Sequence, residues 1–104
     1  MTTEKWQKFS KEEQILNIAA ELSRVKFWLQ EKNSEQSLNC LNRAFEPIDL
    51  TINASRHQRD LNELLRFRDV LAQFYIDEDK NISEFAKIFK TLLMLNKFTS
   101  LVKI

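Results

Sequence analysis

The chain is 104 residues long, carries no glycine, one proline and one cysteine, and its charges balance to +1 at neutral pH. That length makes one domain spanning 1–104, able to bury about two-thirds of its unfolded surface without staples. The missing glycine excludes the P-loop, the G-x-G-x-x-G dinucleotide turn and the glycine nest for a phosphate or oxyanion, and the near-neutral charge supplies no field toward DNA or an anionic membrane.

Met1–Phe9 is a short lead-in whose Trp6 and Phe9 are expected to fold back onto the rest. Ser10-Lys11-Glu12-Glu13 is a capping box that opens the first long helix. Ile15, Ile18, Leu22, Val25 and Leu29 then repeat in steps of three and four to about Glu31. Asn33 takes the left-handed position after that helix and Ser34 caps the next. Leu38, Leu41, Phe45, Ile48 and Ile52 carry the same rhythm through a second helix, which Pro47 kinks without ending. Ser55-Arg56-His57-Gln58 reads as another capping box and begins a third helix. Its core, DLNELLRFRDVLAQFY, is apolar over more than half its circumference and is expected to be wrapped by the others. Asn81-Ile82-Ser83-Glu84 starts a fourth, with Phe85, Ile88, Phe89, Leu92 and Leu95 on one face and an end between Phe98 and Ile104. Short loops between four helices predict an all-α, four-helix up-down-up-down bundle.

Few residues offer chemistry. Asp77-x-Asp79-x-Asn81 begins like a calcium loop, but Ile82 stands where the sharp turn needs glycine and Ile88 where the bidentate Glu belongs. His57 has Arg56 and Arg59 beside it and no second imidazole, so it reads as an exposed first-turn residue with no metal or catalytic role. Cys40, with no histidine or helix start to lower its pKa, reads as a half-buried structural thiol. It excludes an internal disulfide and suits a reducing compartment. With no apolar leader at the N-terminus and no run of membrane length, a cytoplasmic protein without a membrane segment is expected. Neither a cofactor site nor an enzyme signature is present.

Arginines and lysines are the remaining signal. Arg68 lies in the Leu64–Leu71 seam and requires an acid from another helix, with Glu21 and Asp49 the candidates. Truncating a buried pair of that kind costs about 3–5 kcal/mol. Arg24 and Arg43 are expected on or near core-facing positions, paired internally. Arg59 and Arg66 share a helical face, and Lys87, Lys90, Lys97 and Lys103 make the last helix locally basic. Arg59, Arg66, Lys87, Lys90 and Lys97 are therefore the candidate contacts for an anion or RNA. Met94, Phe98 and Leu101 fall about 180°, 220° and 160° around the last helix from Phe85, opposite its core side. That apolar ridge, rimmed by lysine, is the candidate protein interface.

KWQKFSKEEQILNIAAELSR, LNRAFEPIDLTI and LNELLRFRDVLAQFY together resemble an uncharacterised family of small bacterial all-helical proteins with no established activity. The family's counterpart of AFEPIDLTI lacks the proline, so the resemblance implies that the kink belongs to this chain. More distantly, the layout is similar to HEPN domains, helical bundles that include R-x(4–6)-H ribonucleases and non-catalytic partners of small nucleotidyltransferases. Here Leu50, Thr51 and Ile52 occupy the places from which an arginine would complete that motif with His57. The resemblance implies a partner subunit and not a ribonuclease. The expected function is thus a non-enzymatic interaction module, a homodimer or the helical partner of another small bacterial protein. The alternative is a nucleotide- or RNA-binding accessory subunit.

Overall fold

The Ser10 hydroxyl accepts a hydrogen bond from the Glu13 backbone N–H at 3.1 Å, and the Glu13 carboxylate accepts one from the Ser10 N–H at 3.0 Å. These reciprocal bonds satisfy donors that a helix start leaves orphaned. They fix the entry to the first of four long helices in a computed structural model, which describes residues 2–102. A one-turn helix α1 (Thr3–Trp6) precedes α2 (Lys11–Gln30), α3 (Ser34–Ala54), α4 (Gln58–Ile76) and α5 (Ile82–Leu93), and a 3₁₀ turn follows at Thr99–Leu101. All regular structure among the described residues is helical. Lys103 and the last residue of the tail lie outside them.

The predicted stripe of α2 is buried throughout, with Ile15, Ile18, Leu22 and Val25 fully enclosed. α2 packs against α3 and α5, α3 against α4, and α4 against α5, so the core is ringed by the four long helices. The expectation that α4 is the wrapped element is overturned. Only Leu64, Phe67, Leu71 and Phe74 of α4 are buried, while Leu65 and Val70 stand in solvent. α2 is the hub, because its buried stripe faces α3 and α5 together, while its Leu16 and Phe27 stand in solvent.

The core face of α3 is turned from its predicted position. Leu38 is exposed, and Ser37, Cys40, Ala44 and Thr51 join Leu41 and Ile48 inside. Small side chains let two helix axes approach closely, and here they make α2–α3 the most intimate seam of the molecule. Cys40 is completely enclosed rather than half-buried. Buried polar groups at this end are satisfied. The Trp6 indole N–H donates to Thr51 Oγ1 at 2.9 Å, and that hydroxyl donates to the Pro47 carbonyl at 2.7 Å. The Gln14 amide donates to the Trp6 and Phe9 carbonyls. The lead-in is thus pinned across α2 and α3, as the burial of Trp6 requires.

Three boundaries differ from expectation for local reasons. Lys32, not Asn33, takes the left-handed backbone with φ 57°. Asn33 N–H bonds to Trp28 O and Lys32 N–H to Leu29 O, the Schellman pattern. Asn33 is already engaged as the cap of α3, accepting from Gln36 N–H at 3.0 Å. Ser55 does not cap α4, because it terminates α3, and the N-cap is His57 with no side-chain cap bond. α5 ends at Leu93 and does not reach Phe98. Asn96 Oδ1 accepts from the N–H groups of Phe98 and Thr99, and Thr99 Oγ1 donates back to Leu93 O at 2.6 Å. Such local bonds compete with the helical ladder and stop it.

Candidate interaction surface

Phe74 of α4 meets Phe85 of α5 in the core, with ring centroids 5.5 Å apart. Outside that contact the packing of the two helices opens into a shallow apolar groove. One part, of about 210 Å³, is lined by Glu63, Arg66, Phe67, Val70, Ile88, Thr91 and Leu95. The next, of about 400 Å³, is lined by Val70, Gln73, Phe74, Asp77, Glu84, Lys87 and Ile88. Val70 and Ile88 border both, so the two hollows adjoin at these residues along the α4/α5 face. The low-numbered residues of α4 face the high-numbered residues of α5 along its length. Its floor is aromatic and aliphatic, and its charges stand on the rim.

The groove exists because α4 carries more apolar surface than its core stripe uses. Val70 lies one residue from the Leu64–Leu71 seam, hence about 100° around the helix, and is 52% exposed. No sequence motif marks it. The only signal was the excess width of the apolar face of α4, which pointed to wrapping by other helices and instead forms an exposed wall.

The basic residues proposed for an anion or RNA contact do not converge. Arg59 is in solvent and pairs with Glu63 at 3.5 Å. Arg66 stands on the α4 rim of the groove and Lys87 on the α5 rim, with Glu63, Glu84 and Asp77 among them. Lys90 is exposed, and the Lys97 ammonium lies 5.2 Å from the Phe98 ring centroid. Acidic side chains thus stand between the basic ones along this face.

Met94, Phe98 and Leu101 are exposed, as a contact surface requires, but they share no helix. Met94 caps α5, Phe98 lies in the following turn and Leu101 in the 3₁₀ segment. The ridge drawn from helical phase is therefore broken by the Asn96–Thr99 turn. Thr99 between them is fully buried.

Arg68 bonds to Asp49, Nε to Oδ1 at 2.6 Å with Nη2 to Oδ2 at 3.5 Å. This bond raises its pKa above the usual arginine value. Glu21 is engaged elsewhere, by Arg24 at 2.7 Å and Arg43 at 3.6 Å. The second distance is an ion pair too long for a hydrogen bond, which leaves Glu21 Oε2 without one. Arg24 and Arg43 are exposed rather than core-facing, and Arg43 Nη2 also reaches Cys40 Sγ at 3.1 Å.

The other chemistry-bearing residues are in turns and at the bundle end. Asp77 Oδ1 accepts from Asp79 N–H and Asn81 Oδ1 from Glu84 N–H, so both serve the turn into α5. No cluster of three metal-ligating side chains occurs among the described residues. His57 lines a hollow of about 370 Å³ of mixed polar and apolar lining at the start of α4, beside Arg56 and the Lys11–Asp60 ion pair at 3.0 Å. Its ring makes no hydrogen bond among the described residues. No helix there is long and apolar enough to cross a membrane.

Compared with known proteins, the chain matches no family model, no curated protein and no solved structure.

Proposed function

We propose that this protein is a non-enzymatic interaction module whose binding face is the α4/α5 groove. It acts as a homodimer or as the helical partner subunit of another small protein. The observation that carries the reading is the groove itself, an apolar floor open to solvent between two helices and rimmed by charge. That form suits the apolar face of a partner helix, whose burial supplies affinity while the rim sets orientation. The reading includes an up-down-up-down order of the long helices with α3 kinked near Pro47. Pairings between Asp49 and Arg68, Phe45 and Tyr75, and the two groove walls support that order. The proline's missing N–H and its crowding of the carbonyl four residues earlier support the kink.

Cross-linking in the source cell, followed by purification of tagged wild type and tagged Val70→Asp, tests the reading. Wild type should capture a protein, or an untagged copy of itself, that Val70→Asp loses by about tenfold or more, since a charge now sits at the groove centre. Equal capture by both chains, with the variant folded by circular dichroism, rejects the groove as the binding face.

A further inference from the structure

We propose that the turn following α5 docks the protein on an anionic lipid surface, with Phe98 and Leu101 entering the headgroup region and lysines flanking them. α5 ends at Leu93, and the chain bends at Asn96 into the 3₁₀ turn at Thr99–Leu101. Thr99 is fully buried, and its hydroxyl donates to Leu93 O at 2.6 Å. That anchor holds the turn against the bundle. Leu101 N–H bonds to Phe98 O at 3.3 Å, and side chains three apart eclipse in a 3₁₀ turn, so Phe98 and Leu101 stand together. They are 56% and 79% exposed, and Met94 and Val102 are open close by in the chain. No other stretch of this length among the described residues exposes as many large apolar side chains.

Charge selects the occupant. From Phe85 onward the sequence holds Lys87, Lys90, Lys97 and Lys103 and no acid. Lys87 belongs to the groove beside Asp77 and Glu84, whereas Lys90 and Lys97 are exposed at the turn. Lys90 lies one helical turn before Met94, whose N–H bonds to its carbonyl. The Lys97 ammonium lies 5.2 Å from the Phe98 ring centroid. Neither lysine makes an ion pair among the described residues. The facing start of α4 offers Glu63, already paired with Arg59, and Arg66, so it adds no excess of acid. The +1 balance of the whole chain conceals this local asymmetry.

A second copy would meet the patch with like charge, which repels. Nucleic acid could stack on Phe98 but would leave the aliphatic Leu101 and Val102 without partners. An anionic bilayer takes both kinds of side chain. The apolar ones enter the acyl boundary, while the lysine stems lie along apolar surface and their ammonium groups reach lipid phosphates and carboxylates. Each lysine near such a surface improves partitioning by about fivefold. With two lysines and a small apolar tip, the attachment is reversible and salt-sensitive.

Co-sedimentation of the full chain with vesicles of phosphatidylcholine alone, or with about 30% phosphatidylserine, at about 50 mM salt is the test. Wild type should pellet with the anionic vesicles at least about tenfold better than with the neutral ones, and about 500 mM salt should release it. Lys90→Glu combined with Lys97→Glu should lose at least about tenfold. Phe98→Ser combined with Leu101→Ser keeps every charge and should lose about fivefold or more, with circular dichroism verifying each fold. Absence from the anionic pellet, equal pelleting with both vesicles, or binding that survives either double substitution overturns the lipid assignment. Capture of a protein or of polyuridylate that requires Phe98, without vesicle binding, also overturns it and gives the turn to that partner.

Discussion

Arg68 sits between Leu64 and Leu71 in sequence, yet its side chain is 37% exposed and that of Asp49 49%. Solvent at both partners screens their attraction, so the pair contributes about 1 kcal/mol or less and not the several expected of a buried one. The guanidinium also stands 5.2 Å from the Phe45 ring centroid, which adds a contribution of similar size. Arg68→Ala should lower stability by about 1–2 kcal/mol in urea denaturation, with a coupling to Asp49→Asn of about 0.5–1 kcal/mol. A loss above about 3 kcal/mol would mean that the charge is held away from water. Glu13 behaves differently because its value lies in titration. Hydrogen bonds from the Ser10 backbone and then its side chain hold the Glu13 carboxyl below the usual range. A depressed carboxylate stabilises the fold above its unfolded pKa and loses that contribution as pH falls through the folded one. Thermal melts from about pH 5 to pH 3 should therefore fall more steeply for wild type than for Glu13→Gln. Parallel slopes would remove the capping box from the acid response.

Among elements, the helix starts at Ser10 and Asn81 could be read directly, because a side-chain acceptor three residues before a free N–H needs no tertiary context. The face of α2 could be read because Ile15, Ile18, Leu22, Val25 and Leu29 mark it in unbroken steps of three and four, which the exposed Leu16 and Phe27 do not share. The face of α3 could not. Ser37, Cys40, Ala44 and Thr51 carry little hydrophobic signal, and what puts them inside is the packing of other elements on α3, α2 along its length and Trp6 of α1 over Thr51. The end of α5 was hidden for the opposite reason. Leu95 and Phe98 prolong the apolar rhythm, while Asn96 and Thr99 terminate the helix by bonds that rhythm does not register. The α2–α3 turn supplies a prediction. A chain without glycine places Lys32 at φ 57°, where a side chain costs about 1 kcal/mol. Lys32→Gly should raise the urea midpoint slightly, corresponding to at most about 0.5 kcal/mol once the extra entropy of unfolded glycine is subtracted. An unchanged or lower midpoint would show the turn to be strain-free with lysine.

For the whole molecule, the all-helical class follows from composition and period, since neither glycine turns nor alternating strands compete with it. The groove does not follow, because it depends on which of the apolar faces of α4 meets α5, and Val70 belongs to the one left over. The enclosure of Cys40 has another consequence. The chain's single thiol lies at the α2–α3 seam with no exposed surface, so a thiol reagent reaches it only when those helices part. Its labelling rate is then a clock for that separation, readable without any added probe. If the seam opens only with the whole fold, at a stability of about 5 kcal/mol, labelling should be slower than in the unfolded chain by about 10³–10⁴-fold. The same retardation should shrink in step with urea. Labelling that stays fast and indifferent to denaturant would reveal a seam that breathes on its own, apart from the unfolding of the rest.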